Sequence, residues 1–339
     1  MDFTVSEMFG DYMVLQRDKP VKIWGTAEPG SSIKVRVQNT YAQTQTDLKK
    51  GEEEYFKNTH FDPSKPFQNP VDVQIMKGLP LEQLLEIYKK QGEEEPVQYV
   101  GPWHQYRPCG IYHTMLRQAA PYTLKGFLYY QGESDETHPE IYGDMLKGLI
   151  ECWRRDWEEN LPFLMVQLAP LGEAVPNGGK YFPELRRQQE KAAKETEKVY
   201  VASIGDVGSS YDIHPKEKRP VGVRLALLAR GNVYGQKILC EAPVPGKCEM
   251  EGRELGITFQ NTEGGLLLKG EKINALKILE ENGEEVKNWE FSIAENTLYI
   301  KLPCEIKSPF FISFAQTPYY EVNLYNQADI PVKPFKLAF

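Results

Sequence analysis

Leu128-Tyr129-Tyr130-Gln131-Gly132-Glu133-Ser134-Asp135 is an aromatic, strand-forming run that breaks into a polar turn at Gln131. Reading outward, Lys125 to Tyr130 is a strand. Pro139 to Trp157 is a helix, because Ile141, Met145, Leu146, Leu149, Ile150, Trp153 and Trp157 recur at the spacing of one helical face. Pro162 to Leu168 gives a second strand, Glu184 to Lys198 a polar helix, and Val199 to Ile204 a third strand. Pro220 to Gly231 is a further helix, with Gly231 placed as its C-cap. Helices of this length between strands predict an α/β chain with a doubly wound parallel sheet.

The flanks read differently. From Tyr12 to Val37, short alternating runs (Met13-Val14-Leu15, Val21-Lys22-Ile23-Trp24, Ile33 to Val37) are cut by Asp18-Lys19-Pro20 and Pro29-Gly30-Ser31, the pattern of a β-meander. Between Lys49 and Pro108 the periodicity fades, and only Leu81 to Lys90 reads as a helix. After Cys240 strands return at Leu255 to Phe259, Gly265 to Leu268, Thr297 to Ile300 and Phe310 to Phe314. The expected division is a β segment over 1–48, an α/β core over 49–238 and a β-rich domain over 239–339.

With 48 acids against 40 bases the net charge is −8, and no long basic run offers the electrostatic footprint that a phosphate backbone requires. Nucleic acid is not an expected partner. The opening Met1-Asp2-Phe3-Thr4 has neither the basic nor the apolar part of a leader, and no window reaches the roughly eighteen apolar residues of a membrane span. A soluble, cytoplasmic protein is expected, with no membrane partner. Cys109, Cys152, Cys240, Cys248 and Cys304 are odd in number and lack CxxC spacing, which reads as free thiols packed in the fold.

In an open parallel sheet the loops after the carboxyl ends of strands form the ligand crevice. Both the Gln131-Gly132-Glu133 turn and the Asp212-Ile213-His214-Pro215 loop leave strands there. His214 can take a proton from a hydroxyl, with Asp212 beside it to hold the tautomer. Gln131 offers amide donors to a developing oxyanion, and Gly132 permits close backbone approach. Taken singly, these pieces are ordinary turns. Asp206 is an alternative partner for His214, or it satisfies loop amides. Ser134 reads as a turn or capping hydroxyl. His60, His104, His113 and His138 are scattered without ligand spacing, and Trp103, Tyr106 and Tyr112 serve equally as a sugar-stacking platform or as packing.

Taken together, Tyr129-Tyr130-Gln131-Gly132-Glu133-Ser134, Tyr142, Trp153-Arg154, Gly205-Asp206 and Asp212-Ile213-His214-Pro215 with Lys218 resemble the sialate O-acetylesterase family of SGNH-type carbohydrate esterases. Met13 to Gln16, Trp24-Gly25, Arg107 to Tyr112, Val221 to Ala226 and the terminal Leu324 to Phe335 are similar to further parts of that family. The resemblance implies an SGNH-hydrolase-like core and a serine esterase that removes O-acetyl groups from sialic acid or other acetylated sugars, without metal or cofactor. His214 then corresponds to the base, and Gln131 and Glu133 to a block that supplies the oxyanion donor or positions the sugar and the histidine loop.

The family's Gly-Gln-Ser-Asn-Met turn, which bears the nucleophile, and its Trp-Gly-Gly-Thr block do not occur in this sequence. Ser31, Ser32 and Ser64 have no such setting. The resemblance stops near Asp47-Leu48 and resumes near Arg107, so either the encoded chain has lost a segment or the segment is missing from this sequence. Two functions follow as expectations: an acetyl esterase whose nucleophile is missing from this chain, or a non-catalytic carbohydrate-binding relative.

Overall fold

The computed structural model describes residues 111–339 apart from 173–178, 305 and 307–308. Of the first 110 residues it describes 4–5, 8–9, 13, 19–27, 31–37, 40–45, 67–68 and 99–100. Leu81 to Lys90, and the Asp47 to His60 region where the resemblance breaks off, lie outside the described residues. The chain divides into two compact units, one formed by Met1–Leu124 with Trp153–Glu159 and the other by Lys125–Cys152 with Asn160–Phe339.

In the first unit Thr4–Val5 pairs with Gly25–Thr26, and Ser32–Val37 forms a hairpin with Thr40–Gln45. The Val21 to Trp24 run, expected as a strand, is not one. Its polar groups find a distant side-chain partner instead of a strand: the Lys22 amide donates to Thr123 Oγ1 (3.2 Å), and that hydroxyl donates to Pro20 O (3.1 Å). The Lys19 ammonium donates to Leu124 O and Glu159 Oε1. Trp24 packs its ring against Phe9 and Tyr122.

The second unit contains the expected parallel sheet. Strands β1 (Phe127–Tyr129), β2 (Phe163–Val166) and β3 (Val199–Ala202) pair in parallel in that spatial order. They alternate with helices α1 (Pro139–Asp156), α2 (Phe182–Glu195) and α3 (Lys218–Leu228). All four β2 residues are buried, as expected of a strand covered on both faces. Leu164 and Val166 join Ala202, Ile204, Val221 and Leu228 in the clusters under α3. Strand alternation sends Phe163 and Met165 to the opposite face, on the side to which right-handed crossovers carry α1 and α2.

The face of α1 is rotated from the sequence reading. Tyr142, Leu146 and Ile150 are buried, whereas Ile141 and Met145, expected inside, are exposed. The helix turns towards Tyr142 because that hydroxyl has a buried task at the end of β1. Leu146 and Ile150 contribute about 1.5–3 kcal/mol each by burial. Gly231 is not a left-handed cap: α3 runs on into a π-helical turn over Ala229–Val233, and the positive φ falls on Gly235. A side chain at 231 would collide with Cys240 Sγ, so close approach requires the glycine there.

Beyond Cys240, β4 (Val244–Glu251), β5 (Glu254–Gln260), β6 (Leu276–Glu280), β7 (Glu290–Ala294), β8 (Thr297–Lys301), β9 (Phe310–Phe314) and β10 (Phe335–Ala338) form two antiparallel sheets. Their orders are β4-β5-β8-β7 and β6-β9-β10. Inward residues of both, among them Ile257, Leu298, Ile278 and Ile312, share one core as in a sandwich. No helix among the described residues is long and apolar enough to cross a membrane.

Arg224 on α3 ties these parts together. Its guanidinium is buried, forms a two-pronged pair with Asp206 after β3 (2.5 and 2.8 Å), and donates to Ser203 O and Asp329 O. Removing the cation alone strands the Asp206 carboxylate against low-dielectric surroundings. Arg224→Met is therefore expected to cost about 3 kcal/mol in urea unfolding, and adding Asp206→Leu to recover much of it. A single variant as stable as the parent contradicts this role.

Candidate active site

The carboxyl end of β1 is fixed by buried amide chemistry. Gln189 on α2 is fully buried. Its Oε1 accepts the Leu168 amide (2.9 Å), and its Nε2 donates to Val166 O (3.2 Å) and Tyr142 Oη (3.4 Å). Tyr142 in turn donates to the Gln131 carbonyl (3.2 Å). Gly132 follows at φ 139°, where a Cβ would also lie 2.5 Å from the Tyr142 hydroxyl. Only glycine fits, and the turn is thereby held against α1.

The Gln131 side chain is exposed but aimed. Its Oε1 accepts from Tyr129 Oη (2.6 Å) and its Nε2 donates to Asp135 Oδ2 (3.0 Å), leaving a second N–H on the same nitrogen. Glu133 opens a short 3₁₀ turn (Glu133–Thr137) that also contains Ser134, which is exposed. Burial raises the Glu133 carboxyl above the ordinary glutamate range. The amides of Glu133 and Gly132 and the charges of His214 and Lys218 pull it back. Lys218 itself stands 5.8 Å from the centre of the Tyr130 ring. Glu133 on the loop after β1 is thus within electrostatic reach of His214 on the loop after β3.

His214 is highly exposed, at 85% for the side chain, and its Nδ1 lies 3.9 Å from Asp212 Oδ1, too far for a hydrogen bond. That carboxylate oxygen accepts the His214 backbone amide instead (2.9 Å), an Asx turn that fixes the loop rather than the ring. Asp206 is held by Arg224 and accepts from Tyr325 Oη (3.4 Å). A cavity of about 300 Å³ is lined by Asp212, His214, Ser209, Ser210 and Tyr319, among others. Gln131 and Glu133 are not among its lining residues. A larger open cavity of about 660 Å³, bounded by Cys240, Lys247 and Asn296, contains none of these groups.

Of the remaining candidates, His138 is exposed, Tyr112 belongs to the first unit, and His60, His104, Ser64, Trp103 and Tyr106 lie outside the described residues. The two aromatic residues of the His214 cavity, Tyr211 and Tyr319, escape sequence reasoning because neither sits in a periodic or motif context.

The raised pKa of Glu133 has a direct consequence for stability. The fold binds this proton more tightly than the unfolded chain, so the stabilisation is complete below the ordinary glutamate pKa and is lost as pH rises through the folded one. Glu133→Gln is expected to be more stable than the parent at neutral pH and to converge with it in acid, as read by denaturant midpoints. A variant less stable than the parent at neutral pH contradicts the burial.

Comparison with known proteins bears on the same residues. Residues 99–228 match the family described as carbohydrate esterase, sialic acid-specific acetylesterase. Sialate O-acetylesterase of Rattus norvegicus is 29% identical over 190 residues, covering 47% of this chain and 35% of that protein. The enzyme of the same name from Homo sapiens is 31% identical over 160 residues, covering 41% and 30%. The chain thus spans about a third of the length of the curated relatives it matches. A solved carbohydrate acetylesterase from Xanthomonas citri shares the fold over 99% of both chains, with a TM-score of 0.71 at 19% identity. Residues 99–228, which hold the Gln131 turn and the His214 loop, are thus the part of the chain that is similar to the sialic acid-specific acetylesterase family of carbohydrate esterases.

Proposed function

We propose that this chain carries the base and oxyanion side of a site that hydrolyses O-acetyl esters of carbohydrates. The observation that supports this reading is that the Gln131 turn and the His214 loop follow β1 and β3 at the same end of one parallel sheet, inside the span that matches the family. The chemistry is acyl transfer. His214 takes the proton of a serine hydroxyl as its oxygen attacks the acetyl carbonyl, and the amide N–H of Gln131 stabilises the oxyanion. The tetrahedral adduct collapses, the imidazolium returns its proton to the departing sugar oxygen, and an acetyl-serine remains. Water, deprotonated by the same histidine, then releases acetate. Asp212 acts on this sequence through the loop, by holding the His214 backbone. Glu133 supplies negative charge facing the imidazolium.

The sequence contains no Gly-Gln-Ser-Asn-Met turn, and this favours a second reading in which the chain binds acetylated sugar without turning it over. Loss of a triad serine costs on the order of a million-fold in turnover. The purified 339-residue chain is therefore expected to release little or no acetate from acetylated sugars. A form carrying the serine turn is expected to hydrolyse them and to lose that activity in His214→Ala with its fold intact. Acetate release by the present chain, abolished by His214→Ala, overturns the missing nucleophile and directs attention to Ser134, Ser209 or Ser210. Equal activity of His214→Ala and its parent in the longer form removes the base assignment.

A further inference from the structure

The cavity beside His214 carries two aromatic rings that the acyl-transfer chemistry does not use. Tyr211 is 76% exposed, among the most exposed large side chains of the described residues. Tyr319 lines the same cavity from the segment that follows β9. Neither ring is placed by a hydrophobic core. Both are placed by fixed backbone. The Ser209 amide donates to Pro170 O (3.1 Å), the Tyr211 amide to Ser209 Oγ (3.3 Å), and the next turn is closed by Asp212 on the His214 amide. On the other side Thr317 Oγ1 donates to Tyr319 O (2.7 Å), and Tyr319 Oη to Glu321 Oε1 (3.0 Å). Rings held out by ordered loops lose little freedom on binding, and a tyrosine offers a flat apolar face with a polar tip. A pyranose ring has the matching surface: C–H groups on its face and hydroxyls at its rim.

The charges of the cavity narrow the sugar. Arg224, which could grip a carboxylate with two parallel N–H groups, is turned inward and taken by Asp206. The other buried arginine of this unit, Arg186, is given to Thr317 O and Pro318 O and to the Tyr320 ring. Among the residues that line the cavity, Lys216 is outnumbered by the carboxylates of Asp206, Asp212 and Glu217, and only Asp206 is taken by Arg224. That balance disfavours a second negative charge.

We propose that Tyr211 and Tyr319 form a stacking subsite for the ring of an uncharged acetylated sugar, next to His214. The assignment rests on the carbohydrate ester reading above, and binding separates the two. In calorimetric or NMR titration of the 339-residue chain, an O-acetylated methyl glucoside is expected to bind saturably. Its affinity is expected to fall about three- to tenfold in Tyr211→Ala and to stay within about twofold in Tyr211→Phe. N-acetylneuraminic acid is expected to bind more weakly than the neutral sugar. No saturable binding by the parent chain, or unchanged affinity in Tyr211→Ala, overturns the subsite, and tighter binding of the sialic acid overturns the uncharged ring. Sugar binding that depends on Tyr211, in a serine-bearing form that releases no acetate, supports the subsite while sinking the esterase reading. Acetate release lost in His214→Ala, with KM for the sugar ester unchanged in Tyr211→Ala, does the reverse.

Discussion

A single buried guanidinium governs where the histidine loop begins. Arg224 is surrounded by Asp206, the Ser203 carbonyl and the Asp329 carbonyl, so one side chain joins the end of β3, helix α3 and the last turn of the carboxy-terminal strands. A charge with so little access to water has to be neutralised and hydrogen-bonded in place. Tyr325 adds its hydroxyl to the same carboxylate. The chain from Ser203 to Asp206 is thereby pinned, and the segment through Ser209, Tyr211 and His214 projects from a fixed base.

The same constraint divides the acids of this region. Asp206 is consumed by structure, and Asp212 is spent on the His214 backbone amide, so neither holds the imidazole by a direct hydrogen bond. Glu133, on another element, is raised by burial and pulled back in part by the charge of His214. Its position depends on a second buried polar group, the Gln189 amide, which reaches the Gln131 turn through Tyr142. Two internal polar residues, Arg224 and Gln189, thus set the two loops that leave the carboxyl edge of the sheet.

Elements with one strong period were legible. The βαβ series from Lys125 to Leu228 emerged because apolar faces recur there, and the carboxy-terminal strand at Glu254–Gln260 emerged because its inward residues alternate strictly. Hydropathy points to the wrong face of α1 because Tyr142 is buried for its hydroxyl, which hydropathy does not register, while Ile141 and Met145 stay outside. Strand β4 gives no strand signal in the sequence because Pro245, Gly246 and its charges hide an alternation that a bulge between Pro245 and Cys248 also interrupts. In the site, the residue types at Gln131, Glu133 and His214 could be singled out from motifs, but the partners could not. Asp206 and Asp212 look equivalent in sequence, and only geometry shows which carboxylate Arg224 takes. Tyr211 and Tyr319 are 108 positions apart by number and meet only through the fold.

If the Gln131 turn and the His214 loop form one sugar-ester site, as proposed, a single ligand must reach both. Backbone amide NMR of the chain titrated with an O-acetylated methyl glucoside tests it directly. Concerted shifts, with one dissociation constant, are expected at residues of the 131–135 turn and of the 206–217 loop. Shifts confined to one loop, or two loops responding with different constants, would contradict it.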